Sequence, residues 1–462
     1  MSGLLWRSGV GLVMAAILGC SKGPAPQTGG RAGAPPSTVN VLASAKTSPA
    51  TKASEPSVAA TLPAAGGVAA SSGGPFWPRF HGPRGDNLST ETGLLKKWPE
   101  GGPKLLWTAK GLGHGFSSVS LAGGLIYTTG NKDDKSTITA LDLNGTILWQ
   151  VDNGAAWTGD SPGTRSTPTI DGDRLYDESP LGEVLCCNAK TGQKAWSVNI
   201  LKEFAGENIQ WALSESLLID GDRVICCPGG KKASVAALDK MTGKTVWMAN
   251  PTGVKTSYAT PVLAECQGLR MILTMNSKAF LAVGADQGGL LVTFPHETSY
   301  DVNATSPICH DGHIFITSGY GSGSVLLKVK VEGQKASVER VWQSKELDNH
   351  HGGVILLDGY LYGAAFRRNW VCLEWETGKK MVAERGVGKG SLTYADGMLY
   401  TLSEQRDMGL VEATPKAHKV VSKFKVPSGG EGPSWAHPVV CGGRLYVRHS
   451  DQLFAYDVRA GE

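Results

Sequence analysis

Asp220-Gly221-Asp222-Arg223-Val224-Ile225, followed by Ala237-Leu238-Asp239, Thr242-Gly243 and Trp247, decides the fold. It reads as a tight turn, a strand, a second turn and a closing aromatic. Asp-Gly between apolar runs is a hairpin signal, because glycine takes positive φ without steric cost. The preceding stretch repeats it as Asp171-Gly172-Asp173-Arg174-Leu175-Tyr176, Asn188, Thr191-Gly192 and Trp196. Before that come Ala122-Gly123-Gly124-Leu125-Ile126-Tyr127, Asp142, Gly145 and Trp149.

Outward from these the turn recurs at Gly268-Leu269-Arg270-Met271-Ile272 in degenerate form, then at Asp311-Gly312-His313-Ile314-Phe315 and Asp358-Gly359-Tyr360-Leu361-Tyr362. Asp396-Gly397-Met398-Leu399-Tyr400 and Gly442-Gly443-Arg444-Leu445-Tyr446 complete eight copies, most of them 43 to 49 residues apart. The closing aromatic persists as Trp342 but weakens to Val382 and Phe424. Each period holds about four short strands, too few to bury both faces alone, so the units must stack. Radial closure leaves only short sheet edges. The expected fold is therefore all-β, an eight-bladed β-propeller of four-stranded antiparallel blades. The last copy, Leu453-Phe454-Ala455-Tyr456-Asp457, lacks its own tryptophan strand, and Lys104-Leu105-Leu106-Trp107 is expected to supply it. The Trp of each unit is expected to pack on the neighbouring unit, its indole N–H finding one partner.

The chain carries 45 basic and 41 acidic side chains, and five bases against the single acid Glu55 lie in residues 1–75. The body is thus neutral, which argues against nucleic acid as a partner. Arg7, the apolar run to Leu18 and Gly19-Cys20-Ser21 read as an export signal. Ile17-Leu18-Gly19-Cys20 resembles a lipobox, which implies acylation of Cys20 and a signal peptide over 1–20. Residues 21–75, rich in Ser, Ala, Pro and Gly, read as a disordered tether. The propeller is expected over 76–462, on an exported, membrane-anchored lipoprotein facing the periplasm or cell exterior.

The Ala-Leu-Asp, Thr-Gly, Trp pattern resembles the pyrroloquinoline-quinone (PQQ)-like propeller repeat. That superfamily includes quinoprotein alcohol dehydrogenases and the BamB-type lipoproteins of outer-membrane β-barrel assembly. Trp77-Pro78-Arg79-Phe80-His81-Gly82-Pro83-Arg84-Gly85, Asn349-His350-His351-Gly352-Gly353 and Trp435-Ala436-His437-Pro438 are similar to stretches of other bacterial PQQ-like proteins. Two functions follow from the resemblance. A BamB-like scaffold would be non-catalytic and would bind envelope proteins. A periplasmic quinoprotein oxidoreductase would hold PQQ with Ca²⁺ in the channel. Vicinal cysteines form a disulfide in some quinoproteins. Here Cys186-Cys187 and Cys226-Cys227 lie inside apolar strands, where successive side chains face opposite ways, and they read as small buried hydrophobes.

No Cys-x-x-Cys-His, His-Glu-x-x-His, Walker loop or EF-hand loop is present. The residues that open the innermost strands converge on the channel mouth in a propeller. They are Arg165, Trp211, Glu215, Tyr258, Asn303, His350, His351, Lys389, Trp435 and His437. Aromatic, basic and amide groups around a pore suit a polar or anionic ligand, which makes a sensor the third reading. No metal set is assigned, since the paired histidines have no matching carboxylate pair in view.

Overall fold

The computed structural model describes residues 74–461 apart from Asn250 and Arg368. The export signal, Cys20 and nearly all of the tether lie outside the described residues. The described chain forms eight four-stranded antiparallel sheets arranged as an eight-bladed β-propeller. Blades 1 to 7 span residues 120–155, 169–199, 218–249, 262–295, 308–344, 349–384 and 390–425 in chain order. Blade 8 takes three strands from residues 439–457 and its outer strand, Lys104–Ala109, from the start of the chain. The ring is closed as the sequence implies. Among the described residues no helix is long and apolar enough to cross a membrane.

All eight recognised turns join the first and second strands of a blade. At Asp311-Gly312, Asp358-Gly359 and Asp396-Gly397 both turn residues have positive φ, the condition of the hairpin turn whose twist matches the strands.

The tryptophans explain the second turn. A Cβ on Gly145 would lie 2.6 Å from the ring of Trp107, one on Gly192 2.8 Å from Trp149, and one on Gly243 2.6 Å from Trp196. Gly288 and Gly378 stand in the same relation to Trp247 and Trp342. Each indole therefore seats on the glycine that precedes the outer strand of the next blade. Trp107, Trp196 and Trp342 donate their ring N–H to carbonyls there, Leu143, Lys240 and Trp375.

What turns the indole toward the neighbour is a β-bulge in every outer strand. Ala237 pairs with Trp247 and Leu238 with Thr245, so Val246 is passed over. Leu106, Leu148, Ala195, Leu291, Val341, Met381 and Val421 are passed over in the other seven blades. A bulge adds one residue and bends its strand. In blades 1, 3, 5 and 6 the extra side chain stands outside, Leu148, Val246, Val341 and Met381 being exposed, whereas Leu291 and Val421 pack partly against the core.

At the inner strands, hydroxyls stitch adjacent blades. Thr167 Oγ1 accepts from Ser118 N at 3.1 Å, Ser216 Oγ from Thr167 N at 3.0 Å, and Thr260 Oγ1 from Ser216 N at 2.9 Å. Between blades the packing is apolar. Cys186 lies in the core shared with blade 3 and Cys187 in that shared with blade 1, on opposite faces of their strand.

Candidate functional site

The inner strands all begin at one face, the upper mouth, where the turns between second and third strands also lie. The opposite end of the channel is crossed by residues 77–88. Trp77 exchanges two backbone hydrogen bonds of 2.8 Å with Leu121 of blade 1, and Pro78 accepts one from Ile170 of blade 2. Arg79, Phe80 and His81 share a cavity of about 20 Å³ with Ser216 of blade 3, Thr260 of blade 4 and Ser306 of blade 5. A Cβ on Gly353 of blade 6 would lie 3.5 Å from the His81 ring. Asn87 bonds the backbone of Leu392 and Tyr394 in blade 7, and His81 bonds His437 of blade 8. This floor meets blades 1, 2, 6, 7 and 8 and shares its cavity with blades 3, 4 and 5.

The three stretches similar to other PQQ-like proteins meet at one point. His437 Nε2 lies 2.8 Å from the His351 carbonyl, so it carries the proton and donates. Burial holds the His437 imidazolium down to about 4, leaving Nδ1 to accept from His81 Nε2 at 3.1 Å. Gly353 lies so close that a Cβ would come within 3.0 Å of His437 Cε1. The histidines of the floor, blade 6 and blade 8 thus form one hydrogen-bonded column.

Above it, Lys389 Nζ lies 2.9 Å from His350 Nδ1 and 2.9 Å from Glu404 Oε1. His351 Nδ1 is 3.3 Å from His350 Nδ1 and 3.9 Å from Glu404 Oε1. Trp435 Nε1 donates to the same carboxylate oxygen at 3.1 Å. Burial first, and the Lys389 ammonium second, push the His350 imidazolium down to about 3. Burial also lowers His351 well below the usual range, ahead of the charges around it. Lys389 and Glu404 are 12% and 21% exposed, so their attraction is shielded from water.

Aromatic rings continue around the mouth. Trp435 packs on Phe116 at 4.7 Å between centroids, and the Arg165 guanidinium lies 5.3 Å over Phe116. On the far side Trp211 meets Tyr258 and Tyr300, each at 6.2 Å, and Tyr300 meets Tyr320 at 5.5 Å. Tyr320 packs on Phe366 and His350, and Lys389 lies 4.8 Å over Phe366. On the same face a cleft of about 370 Å³ between blades 4 and 5 is lined by Arg340, Lys345, His296 and Tyr320.

The structure thus gathers His350, His351, Lys389 and Trp435, sets His437 beneath them, and places Arg165, Trp211 and Tyr258 around the rim. Glu215 and Asn303 turn away. Glu215 is 3% exposed and accepts from the Cys227 backbone N–H at 2.6 Å. Burial raises its carboxyl, and the adjoining Glu178 is raised well above the usual range by burial and then by Glu215. Asn303 is fully buried and bonds the carbonyls of Asn276 and His296. Glu404, Tyr320 and Phe366 escape a reading confined to strand starts. They follow the second strands of blades 7, 5 and 6, where turns return to the mouth.

The model of the family described as outer membrane protein assembly factor BamB matches residues 69–229 and 134–383. BamB from Moraxella catarrhalis superposes with a TM-score of 0.55 at 15% identity, covering 78% of this chain and 98% of that one. Quinohemoprotein alcohol dehydrogenase from Comamonas testosteroni gives 0.58 at 12% identity, over 84% and 81%. The computationally designed Ika8 protein gives 0.56 at 12%, over 77% and 100%. At such identities the likeness is one of fold. No curated protein matches the chain.

Proposed function

The chain belongs to the PQQ-like repeat family described as outer membrane protein assembly factor BamB, and from that premise we propose that it is a non-catalytic scaffold of the cell envelope. Its upper mouth binds a polar or acidic segment of an envelope partner. The observation that carries this reading is the floor. Residues 77–88 cross the lower end of the channel, bonded to blades 1, 2, 7 and 8, so the upper face is the one left for binding. There Arg165 and Lys389 stand among Phe116, Trp211, Tyr258, Tyr300, Tyr320, Phe366 and Trp435. Rigid aromatics with a few cations form a contact surface of low entropic cost for a peptide.

Bound PQQ would supply two-electron oxidation chemistry, with Ca²⁺ held by six to eight oxygens at about 2.3–2.6 Å. The residues at the mouth do not fit that group. The cluster of His350, His351, Glu404 and Lys389 offers two imidazoles, one carboxylate and an ammonium, a set poor in the oxygens that Ca²⁺ takes.

The N-terminal sequence supports an exported protein acylated at Cys20 and held from its membrane by residues 21–75. A photo-crosslinking residue at Tyr300, which is 65% exposed, tests the scaffold in cells. We expect a covalent adduct with an outer-membrane protein that disappears with Lys389→Glu. Alcohol oxidation with an artificial dye after incubation with PQQ and Ca²⁺ would overturn the reading.

A further inference from the structure

We propose that His350 Nδ1, His351 Nδ1 and Glu404 form a binding site for one divalent transition-metal ion, which competes with the Lys389 ammonium for the same place. The three donor atoms lie within 4.8 Å of one another. Two nitrogens held about 2.0–2.1 Å from a tetrahedral ion stand about 3.3 Å apart, and His350 Nδ1 and His351 Nδ1 are 3.3 Å apart.

The Lys389 contact fixes where the His350 lone pair points. An ammonium has only protons to give, so at 2.9 Å His350 Nδ1 accepts and its proton is on Nε2. Glu404 accepts from the same ammonium. The lone pair of one imidazole and a carboxylate oxygen thus already converge on a cation, and the second imidazole lies alongside with its Nδ1–H donating to His350 Nδ1. Metal binding moves that proton to His351 Nε2, which is buried with no hydrogen-bond partner. Lys389 Nζ is a tethered occupant of a seat whose donors suit a metal.

The donors are held by rigid parts of blades 6 and 7. Asn349, beside the histidines, donates its backbone N–H to Thr317 Oγ1 at 3.2 Å and its side-chain amide to the Ala364 carbonyl at 2.8 Å. Glu404 N bonds the Lys389 carbonyl at 2.9 Å, and Trp435 Nε1 orients the Glu404 carboxylate. Such outer partners set ligand direction and affinity. Two imidazoles and a carboxylate favour Zn²⁺, Cu²⁺ or Ni²⁺ over Ca²⁺ or Mg²⁺. Three protein ligands leave a further position for an oxygen of water or of a molecule bound at the mouth. The proposal goes beyond the scaffold reading and does not depend on it.

Chelator-treated protein titrated with ZnCl₂ by calorimetry, and with CoCl₂ by visible absorption, tests the site. We expect one equivalent bound, and the intense bands of a four- or five-coordinate Co²⁺. Removing the competitor with Lys389→Met should tighten Zn²⁺ binding about tenfold, while His351→Gln and Glu404→Gln should each weaken it at least as much. Circular dichroism of each variant reports folding, and Lys389→Met, which removes no donor, keeps the idea falsifiable if a ligand variant unfolds. Absence of saturable binding of Zn²⁺, Cu²⁺ and Ni²⁺ up to millimolar concentration would overturn it. So would one equivalent that persists unchanged in a folded His350→Gln, His351→Gln double variant.

Discussion

Gly102 lies against Phe424 so closely that a Cβ would come within 2.5 Å of the phenyl Cγ. Gly102 belongs to the segment before Lys104–Ala109, and Phe424 to the outer strand of blade 7. The pair reproduces, at the seam of the ring, the indole-on-glycine contact made between blades 8 and 1, 1 and 2, 2 and 3, 3 and 4, and 5 and 6. The seam is thus built to the same rule as covalently continuous neighbours.

Gly102→Ala and Gly192→Ala should therefore both destabilise, by about 2–3 kcal/mol, since each combines a positive φ with overpacking. Gly172→Ala has positive φ but open space, and should cost less, about 1 kcal/mol. Denaturant unfolding of the three variants checks the order. Equal losses would mean that backbone strain alone matters.

The repeat was legible because Asp-Gly and Thr-Gly turns require particular backbone angles and so leave a local signature. The bulge was not. Leu148, Val246 and Met381 read as ordinary members of alternating strands, and only pairing with the third strand shows that they are passed over. The mouth was half legible for a related reason. His350, His351, Lys389 and Trp435 stand at strand starts, where periodicity places them. Glu404 and Phe366 lie on turns whose aim depends on the ring. Glu215 and Asn303 precede strands too, but point between blades, a direction set by packing.

Oxidation state follows from the strand faces. Cys186 and Cys187 lie on opposite sides of one sheet, as do Cys226 and Cys227. Burial pushes the Cys187 thiol up to about 12 and raises Cys226 and Cys227 well above the usual range. Thiolate is the reactive form. A thiol reagent should leave all four unmodified in the native protein and label all four in denaturant. A tryptic peptide carrying a Cys186–Cys187 disulfide would contradict this.

Blade 2 should make stability fall as pH rises from about 4 to about 7. Burial raises the Asp177 carboxyl to about 7, although Asn153 donates to it at 2.8 Å. The native state then holds a proton that the unfolded chain loses near pH 3.9. Stability present below that pH is lost progressively as pH rises to about 7. Asp177→Asn should remove this loss, its stability relative to the parent growing by up to about 4 kcal/mol between pH 4 and pH 8. His296 and His418 act on the acid side. Burial lowers both to about 4, so stability present above about 6.5 is lost as pH falls to about 4. Urea titrations across this range measure both limbs, and a pH-independent difference between Asp177→Asn and the parent would remove the first.

Closure is the remaining test, and it turns on one residue. Lys104 pairs with Asp457 and Leu105 with Tyr456, but Trp107 pairs with Ala455, so Leu106 is the bulge of blade 8. Deleting Leu106 removes the extra residue while keeping the backbone groups of every paired residue. Because side chains alternate along a strand, it would also send Trp107 to the opposite face or shift Lys104 and Leu105 out of register. Either way the indole loses its seat on Gly145 and its bond to the Leu143 carbonyl. The deletion should cost about 3 kcal/mol, as much as Trp107→Ala, whereas Leu106→Ala, which keeps the bulge, should cost about 1 kcal/mol or less. In the same deletion, proteolysis should cut first near residues 450–461, because blade 8 alone joins the two ends of the ring. If deletion and Leu106→Ala unfold alike, the bulge does not orient the closing tryptophan.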